Sequence, residues 1–297
     1  MWVRVLGAAA GGGFPQWNCG CPQCRVVRDG SRPCRSRTQS SVAVSANNQR
    51  WFLLNASPDI RAQIESFPAL RPGGIRHSPL QAVLLTDAEL DHTLGLLLLR
   101  EAGDLEVHAT AAVHEILCKG TSLLQTLGAY TRVEWRTVAA GIEVSLADSL
   151  SYRAFDVPTN KRARFGSGEG EESVVGYRIT DGHTGRALVY VPGAQELTAS
   201  VRAHLEGCTC LLIDGTCWQD DELIRLGIGG KTSREMGHLP ISGADGSLKQ
   251  LAPLPIERKI YIHINNTNPI LLEDAPERRI VEERGLEVAA DGLELEI

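Results

Sequence analysis

The sequence predicts an α/β protein in which two β-sheets face each other and helices cover their outer faces, a four-layer αββα sandwich. Three observations carry that expectation: apolar residues alternate or run in short blocks, Gly, Asn and Pro bound those blocks, and one strand-rich half follows another. The first strand, residues 2–6, runs into a glycine- and alanine-rich turn at 8–13. Strands 42–45 and 51–55 are joined by Ala46-Asn47-Asn48-Gln49, whose asparagines tolerate positive φ, so they form a hairpin. A helix over 59–67 leads to strand 82–86, helix 91–101, strand 106–109 and helix 111–120. In the second half, strand 152–157 precedes a charged, glycine-rich and aperiodic loop at 159–172. Strands 174–180 and 187–191 form another hairpin through Asp181-Gly182-His183-Thr184-Gly185. Helix 194–206, strands 210–214 and 259–263, and helix 276–284 complete the order.

A chain of 297 residues is long enough for a large buried core, and one domain over 1–297 is expected. Lys and Arg number 30 against 36 for Asp and Glu, a formal charge of −6, and no basic run offers a nucleic-acid footprint. The leucine-rich run at 94–99 falls far short of the roughly 20 apolar residues that span a bilayer, so no membrane insertion is expected. The opening strand and its glycine turn do not resemble a secretory signal, which predicts a cytoplasmic protein. In that setting the eight cysteines are metal ligands or buried apolar residues rather than disulfides.

Cys19-Gly20-Cys21-Pro22-Gln23-Cys24 places three thiols within six residues on a turn shaped by Gly20 and Pro22. Neighbours on such a turn cannot readily adopt disulfide geometry, but they can converge on one ion. Zinc accepts tetrahedral thiolates at this short spacing, so Cys19, Cys21 and Cys24 are candidate ligands of a structural Zn2+, against the alternative of unpaired buried thiols. Cys34 or a residue near His263 would supply the fourth ligand. Cys118, Cys208, Cys210 and Cys217 lie among apolar residues and belong to the core.

After strand 82–86 stands Asp87-Ala88-Glu89-Leu90-Asp91-His92. Asp87, Glu89 and Asp91 are two apart, so an extended turn would point them the same way, while His92 opens the next helix. Burying so many carboxylates without a cation would cost several kcal/mol each. The plainer alternative is an acidic helix start, with these carboxylates capping the following helix.

That segment resembles the His-X-His-X-Asp-His signature of the metallo-β-lactamase superfamily, with Asp91 and His92 matching and the first two histidines replaced. Leu211-Leu212-Ile213-Asp214-Gly215-Thr216 is similar to the superfamily's bridging-aspartate strand, and Ile260-Tyr261-Ile262-His263 to its last histidine strand. Pro158-Thr159-Asn160 stands where its mid-chain histidine is expected. A more specific resemblance is to the pyrroloquinoline quinone (PQQ) synthesis protein B family. It is carried by Gly11-Gly12-Gly13-Phe14-Pro15-Gln16-Trp17-Asn18-Cys19, Arg37-Thr38-Gln39-Ser40-Ser41, Asn55-Ala56-Ser57-Pro58-Asp59-Ile60-Arg61, Arg234-Glu235-Met236-Gly237-His238-Leu239 and His263-Ile264-Asn265-Asn266-Thr267-Asn268-Pro269. In related phosphodiesterases of the superfamily a histidine completes the three-cysteine zinc site; here that position is Asn266.

The resemblance implies the metallo-β-lactamase fold, with two mixed sheets, and an active-site metal held by Asp91, His92 and His263. Two imidazoles and one carboxylate form the set used by non-haem Fe(II) oxygenases, so Fe2+ is expected there, with Zn2+ or another divalent ion as the alternative. Asp87 and Asp214 would orient ligands or hold a water, and His238 would shuttle a proton. The other histidines, His77, His108, His114, His183 and His204, are expected to be ordinary surface or core residues. The family further implies a part in PQQ synthesis, as an iron- and dioxygen-dependent hydroxylase of the tyrosine ring in a Glu–Tyr intermediate cut from a precursor peptide. Arg61, Lys161, Arg162 and Arg164 would meet that substrate's carboxylates. Contacts with other proteins of the pathway are implied, and a homodimer is compatible with them. Two alternatives stand beside this reading: a hydrolase of the same fold using metal-bound hydroxide, and a carrier that binds PQQ or its precursor for transport.

Overall fold

The computed structural model describes residues 1–161, 164–165 and 173–297. Among the described residues, fourteen strands form two seven-stranded sheets. The strands are β1 (Trp2–Gly7), β2 (Ser41–Ser45), β3 (Trp51–Leu54), β4 (Leu80–Leu84), β5 (Asp104–Thr110), β6 (Arg132–Val138) and β7 (Glu143–Ser145). They continue as β8 (Leu150–Asp156), β9 (Val175–Asp181), β10 (Ala187–Val191), β11 (Cys210–Asp214), β12 (Arg258–Ile262), β13 (Glu287–Val288) and β14 (Glu294–Glu296). The first sheet runs β14-β1-β2-β3-β4-β5-β6 and the second β13-β12-β11-β10-β9-β8-β7. Both are mixed: β14 to β3 pair antiparallel and β3 to β6 parallel, while β7 to β10 pair antiparallel and β10 to β13 parallel.

The period-two side-chain alternation of a strand explains the layering. Val42, Val44, Phe52, Leu54, Ala82 and Leu84 face Leu188, Tyr190, Cys210, Leu212, Ile260 and Ile262 in a core between the sheets. The intervening residues Ala43, Trp51, Leu53 and Val83 pack outward with Ile60, Leu96, Val113 and Leu117 of the first helical layer. On the far side, Val189, Leu211, Ile213 and Tyr261 pack with Val201, Leu251 and Val281 of the second. Burial of this kind contributes roughly 25 cal/mol per Å2 of apolar surface, and it holds four layers together through three cores. The expected αββα sandwich and both predicted hairpins are present.

The differences are local and have identifiable causes. The four strands absent from the expectation, β6, β7, β13 and β14, are the four sheet edges. Edge strands pair on one side only and here are short or largely solvent-facing, so they lack the apolar signal of central strands. The helix expected over 91–101 is two single turns, Leu90–Thr93 and Gly95–Leu98. Gly95 lies against the backbone of Ala56 and Ser57, where a Cβ would meet the Ser57 carbonyl oxygen at 2.2 Å, and its N–H donates to the Ala56 carbonyl. The helix expected over 111–120 is α-helical at Ala111–Glu115 and widens to a π-turn at Ile116–Gly120. The helix expected from 194 begins at Ala199, where the Thr198 hydroxyl caps it by accepting from the Val201 N–H, while the Ala194 N–H donates to Asp214. Pro22–Asp29, Leu123–Gly128, Glu222–Arg225 and Ser247–Leu251 are short helices the pattern does not announce. The expected loop at 159–172 lies partly outside the described residues, as does Arg162.

Candidate metal centre

The carboxyl ends of the central strands of both sheets meet at one rim, the usual location of ligand sites in sheets with parallel strands. From the first sheet come Asn55, just after β3, and residues 86–92, just after β4; from the second come Asp214, which ends β11, and His263, just after β12. Asn55 amide and Thr86 hydroxyl bond each other, and the Thr86 hydroxyl lies 2.9 Å from Asp87 Oδ2. His92 Nδ1 lies 2.9 and 2.8 Å from the two Asp87 oxygens, and the Glu89 N–H donates to Oδ1. Burial alone would raise the Asp87 carboxyl, but the His92 ring holds it below the usual carboxylate range. Burial alone would lower His92; Asp87 and Asp91 overrule it and raise the ring to about 9.

Across the rim, His263 turns off its strand in the left-handed region, φ 57°, a conformation that costs a β-carbon residue about 1–3 kcal/mol. Its Nε2 thereby stands 3.1 Å from Asp91 Oδ2. Burial outweighs Asp91 here and lowers the His263 ring. His238 Nδ1 lies 2.7 Å from Asp214 Oδ2, and the His238 and His263 rings stack at 5.2 Å.

Two sets of three donors converge: Asp91, His92 and His263, and Asp214, His238 and His263. Hydrogen-bond inventory separates them, since a carboxylate has about four lone-pair sites. Asp214 has filled its sites: Oδ1 accepts from the Thr216 N–H and hydroxyl at 3.0 and 2.7 Å, and Oδ2 from the Ala194 N–H and His238 at 2.9 and 2.7 Å. Asp87 is also engaged, by the Glu89 N–H, the Thr86 hydroxyl and the one His92 Nδ1–H that lies between its two oxygens. In the first set, by contrast, His92 Nε2 is buried with no hydrogen-bond partner among the described residues and sits 3.8 Å from Asp91 Oδ2. Donor atoms about 2.1 Å from a shared ion lie roughly 3 to 3.5 Å apart, so two imidazole nitrogens and a carboxylate oxygen at these spacings suit a single divalent cation. Glu89 occupies the cap position of Leu90–Thr93 with no side-chain cap bond, and Asp91 stands in the first turn of that helix.

Glu89 departs from the expectation that it would point with Asp87 and Asp91. The chain leaves the strand at that point, period two ceases, and Glu89 instead pairs with Lys161 at 2.7 Å and Arg164 at 3.5 Å. Arg61 is exposed on helix Ile60–Ser66. Thr216 and Asn55, which tie the site together, are missed by sequence reasoning, because a polar residue after an apolar strand does not show that it is buried.

The cysteine cluster also assembles, though not as a simple turn. Cys21 caps helix Pro22–Asp29, its sulfur accepting from the Cys24 N–H, so Cys24 stands in the first helical turn. Sγ atoms of Cys19, Cys21 and Cys24 converge, and the Asn266 side-chain amide lies over all three at 3.2, 3.6 and 3.3 Å. Cys34 is not part of this cluster; it bridges to Leu272. Cys208, Cys210 and Cys217 are buried as expected, whereas Cys118 is only half-buried, beside His114. None of the eight thiols is in a disulfide, and no helix among the described residues is long and apolar enough to cross a membrane.

A profile of the Beta-lactamase superfamily domain matches residues 50–264, which contain every residue of the rim. The coenzyme PQQ synthesis protein B of Methylococcus capsulatus is 47% identical over 99% of both chains, and that of Pseudomonas putida strain W619 is 42% identical over the whole of both. The crystal structure of Zn2+-bound PqqB from Methylobacterium extorquens superposes over the whole of both chains with a TM-score of 0.92 at 43% identity. The fold is therefore that of the metallo-β-lactamases, and within that superfamily this chain belongs to the coenzyme PQQ synthesis protein B family.

Proposed function

We propose that the chain acts in PQQ biosynthesis as an Fe2+- and dioxygen-dependent hydroxylase of the tyrosine ring of a Glu–Tyr intermediate derived from the precursor peptide. The observation that carries this reading is the donor set: Asp91, His92 and His263 converge on one position, while the carboxylates that replace the other ligands are engaged elsewhere. Such a site holds one metal rather than a hydrolytic pair. When bound, ferrous iron supplies dioxygen activation at the positions that three protein ligands leave open.

The protein's own groups have the remaining tasks. Asp87 holds His92 by Nδ1, so that Nε2 faces the site. Asp214 does the same for His238, leaving His238 Nε2 to take the proton of the substrate phenol as the ring is activated. Lys161 and Arg164, drawn to Glu89 two residues before Asp91, offer charge-assisted hydrogen bonds to substrate carboxylates. The Lys161 stem also lies beside Gly237, next to His238, while its ammonium meets Glu89. Cys19, Cys21 and Cys24 would hold a structural Zn2+, completed by Asn266 once its amide turns to present Oδ1. A thiolate zinc site suits the reducing cytoplasm, where the other proteins of the pathway would deliver the substrate.

The test is anaerobic reconstitution with Fe2+, followed by a Glu–Tyr dipeptide and oxygen. A product heavier by one oxygen atom, absent without iron or oxygen, is expected. Oxygen-independent cleavage would instead indicate a hydrolase, and tight PQQ binding without turnover a carrier.

A further inference from the structure

The Thr216 hydroxyl is buried at the junction of the two imidazoles that the reading above assigns to metal binding and proton transfer. It lies 2.7 Å from Asp214 Oδ1, 3.0 Å from the His263 carbonyl oxygen, 3.0 Å from His263 Nδ1 and 3.1 Å from His238 Nδ1. A hydroxyl has one proton to give and two lone pairs to offer. The shortest contact is to an ionised carboxylate, held ionised against burial chiefly by His238. A charge-assisted bond of that length claims the proton. Were the proton turned to either ring, the two oxygens would face each other at 2.7 Å with nothing between them. Thr216 therefore accepts from the histidines. The His238 Nδ1–H has a better acceptor in Asp214 Oδ2 at 2.7 Å, so the lone pair nearest His263 receives the His263 Nδ1–H.

We infer that, in the metal-loaded protein, Thr216 is a positioning residue that fixes the tautomer of His263, with the proton on Nδ1 and the lone pair on Nε2 turned to the ion it would share with Asp91. This inference rests on the proposed metal site and deepens it. His92 is set by a carboxylate, His263 by a neutral hydroxyl that is itself set by Asp214; the ring that acts as ligand and the ring that moves protons thus share one buried acid.

The test uses Co2+ binding to the zinc-loaded protein, followed by visible absorption, with Thr216→Val and Thr216→Ser compared with the parent. Zinc retained at the cysteines reports that each variant is folded. Valine should weaken Co2+ by about 10- to 100-fold, the range typical of lost partners behind metal-bound histidines, and serine should stay within about threefold of the parent. In 15N-histidine spectra of the metal-loaded parent and Ser variant, the His263 proton should reside on Nδ1. Unchanged Co2+ affinity in the Val variant, equal losses in Val and Ser, or a His263 proton on Nε2 would each overturn the inference. If Val loses its zinc, Thr216→Cys replaces it, and Cys binding as tightly as Ser overturns the inference. Failure of the parent to bind Co2+ at this site would instead overturn the metal reading beneath it.

Discussion

Replacing Asp87 by Asn removes a negative charge that contacts His92 Nδ1 at 2.8 Å while nearly preserving side-chain volume. Two effects oppose each other. The carboxylate makes Nε2 a stronger donor, and its loss should weaken metal binding by about 10- to 100-fold, or about 1.4–2.7 kcal/mol. The same carboxylate, with Asp91, raises the metal-free His92 ring to about 9, so at neutral pH a proton must leave before a cation binds. At pH 7 that competition costs the parent roughly two decades of apparent affinity, and the cost disappears as pH rises through 9. In the Asn variant the ring is less basic and the competition largely relaxes at neutral pH. Parent affinity should therefore rise nearly tenfold per pH unit between 7 and 9, whereas the variant's rises less. The deficit of the variant should be small near pH 7 and widest near pH 9. Titration with Co2+ across that range, with the cysteine site already filled by zinc, measures both curves. Parallel curves would refute the assignment of Asp87 as the group that tunes His92.

Three further outcomes follow from contacts at and around the site. Lys161→Met should raise KM for a Glu–Tyr substrate about tenfold or more with little change in kcat if, as proposed, the ammonium binds a carboxylate that does not react; steady-state kinetics decides, and an equal fall in kcat with unchanged KM would count against it. Asn266→Ala should accelerate zinc loss from the three thiols to a chelator, while Asn266→His, which supplies a conventional fourth donor, should retain zinc at least as well as the parent. Gly95→Ala should destabilise the protein by about 1–3 kcal/mol in denaturant unfolding, since the added methyl meets the backbone of Ala56 and Ser57.

What the sequence announces, and what it conceals, follows from how locally each feature is determined. The central strands are buried on both faces, so β2, β3, β10 and β11 read as continuous apolar blocks. The edges β6, β7, β13 and β14 depend on a neighbour that only the tertiary fold supplies. Asp91, His92 and His263 are legible because each follows an apolar strand in a recognisable setting. Thr216 is not, since a threonine after a strand looks the same whether it faces solvent or joins an acid to two imidazoles. Glu89 illustrates the converse: spacing placed it with Asp87 and Asp91, but the end of the strand rotates it toward Lys161. Asn266 over the cysteines joins residues more than 240 positions apart, a meeting that local pattern cannot encode.

The central claim is that the rim holds one metal, through Asp91, His92 and His263, separately from the cysteine site. Metal analysis of the parent and of His263→Ala, both prepared without added metals and then loaded anaerobically with limiting Zn2+ and Fe2+, tests it most directly. One zinc and one iron per parent chain, and zinc alone in the variant, are the predicted result. Two ions at the rim of the parent, or loss of both metals on replacing His263, would contradict it.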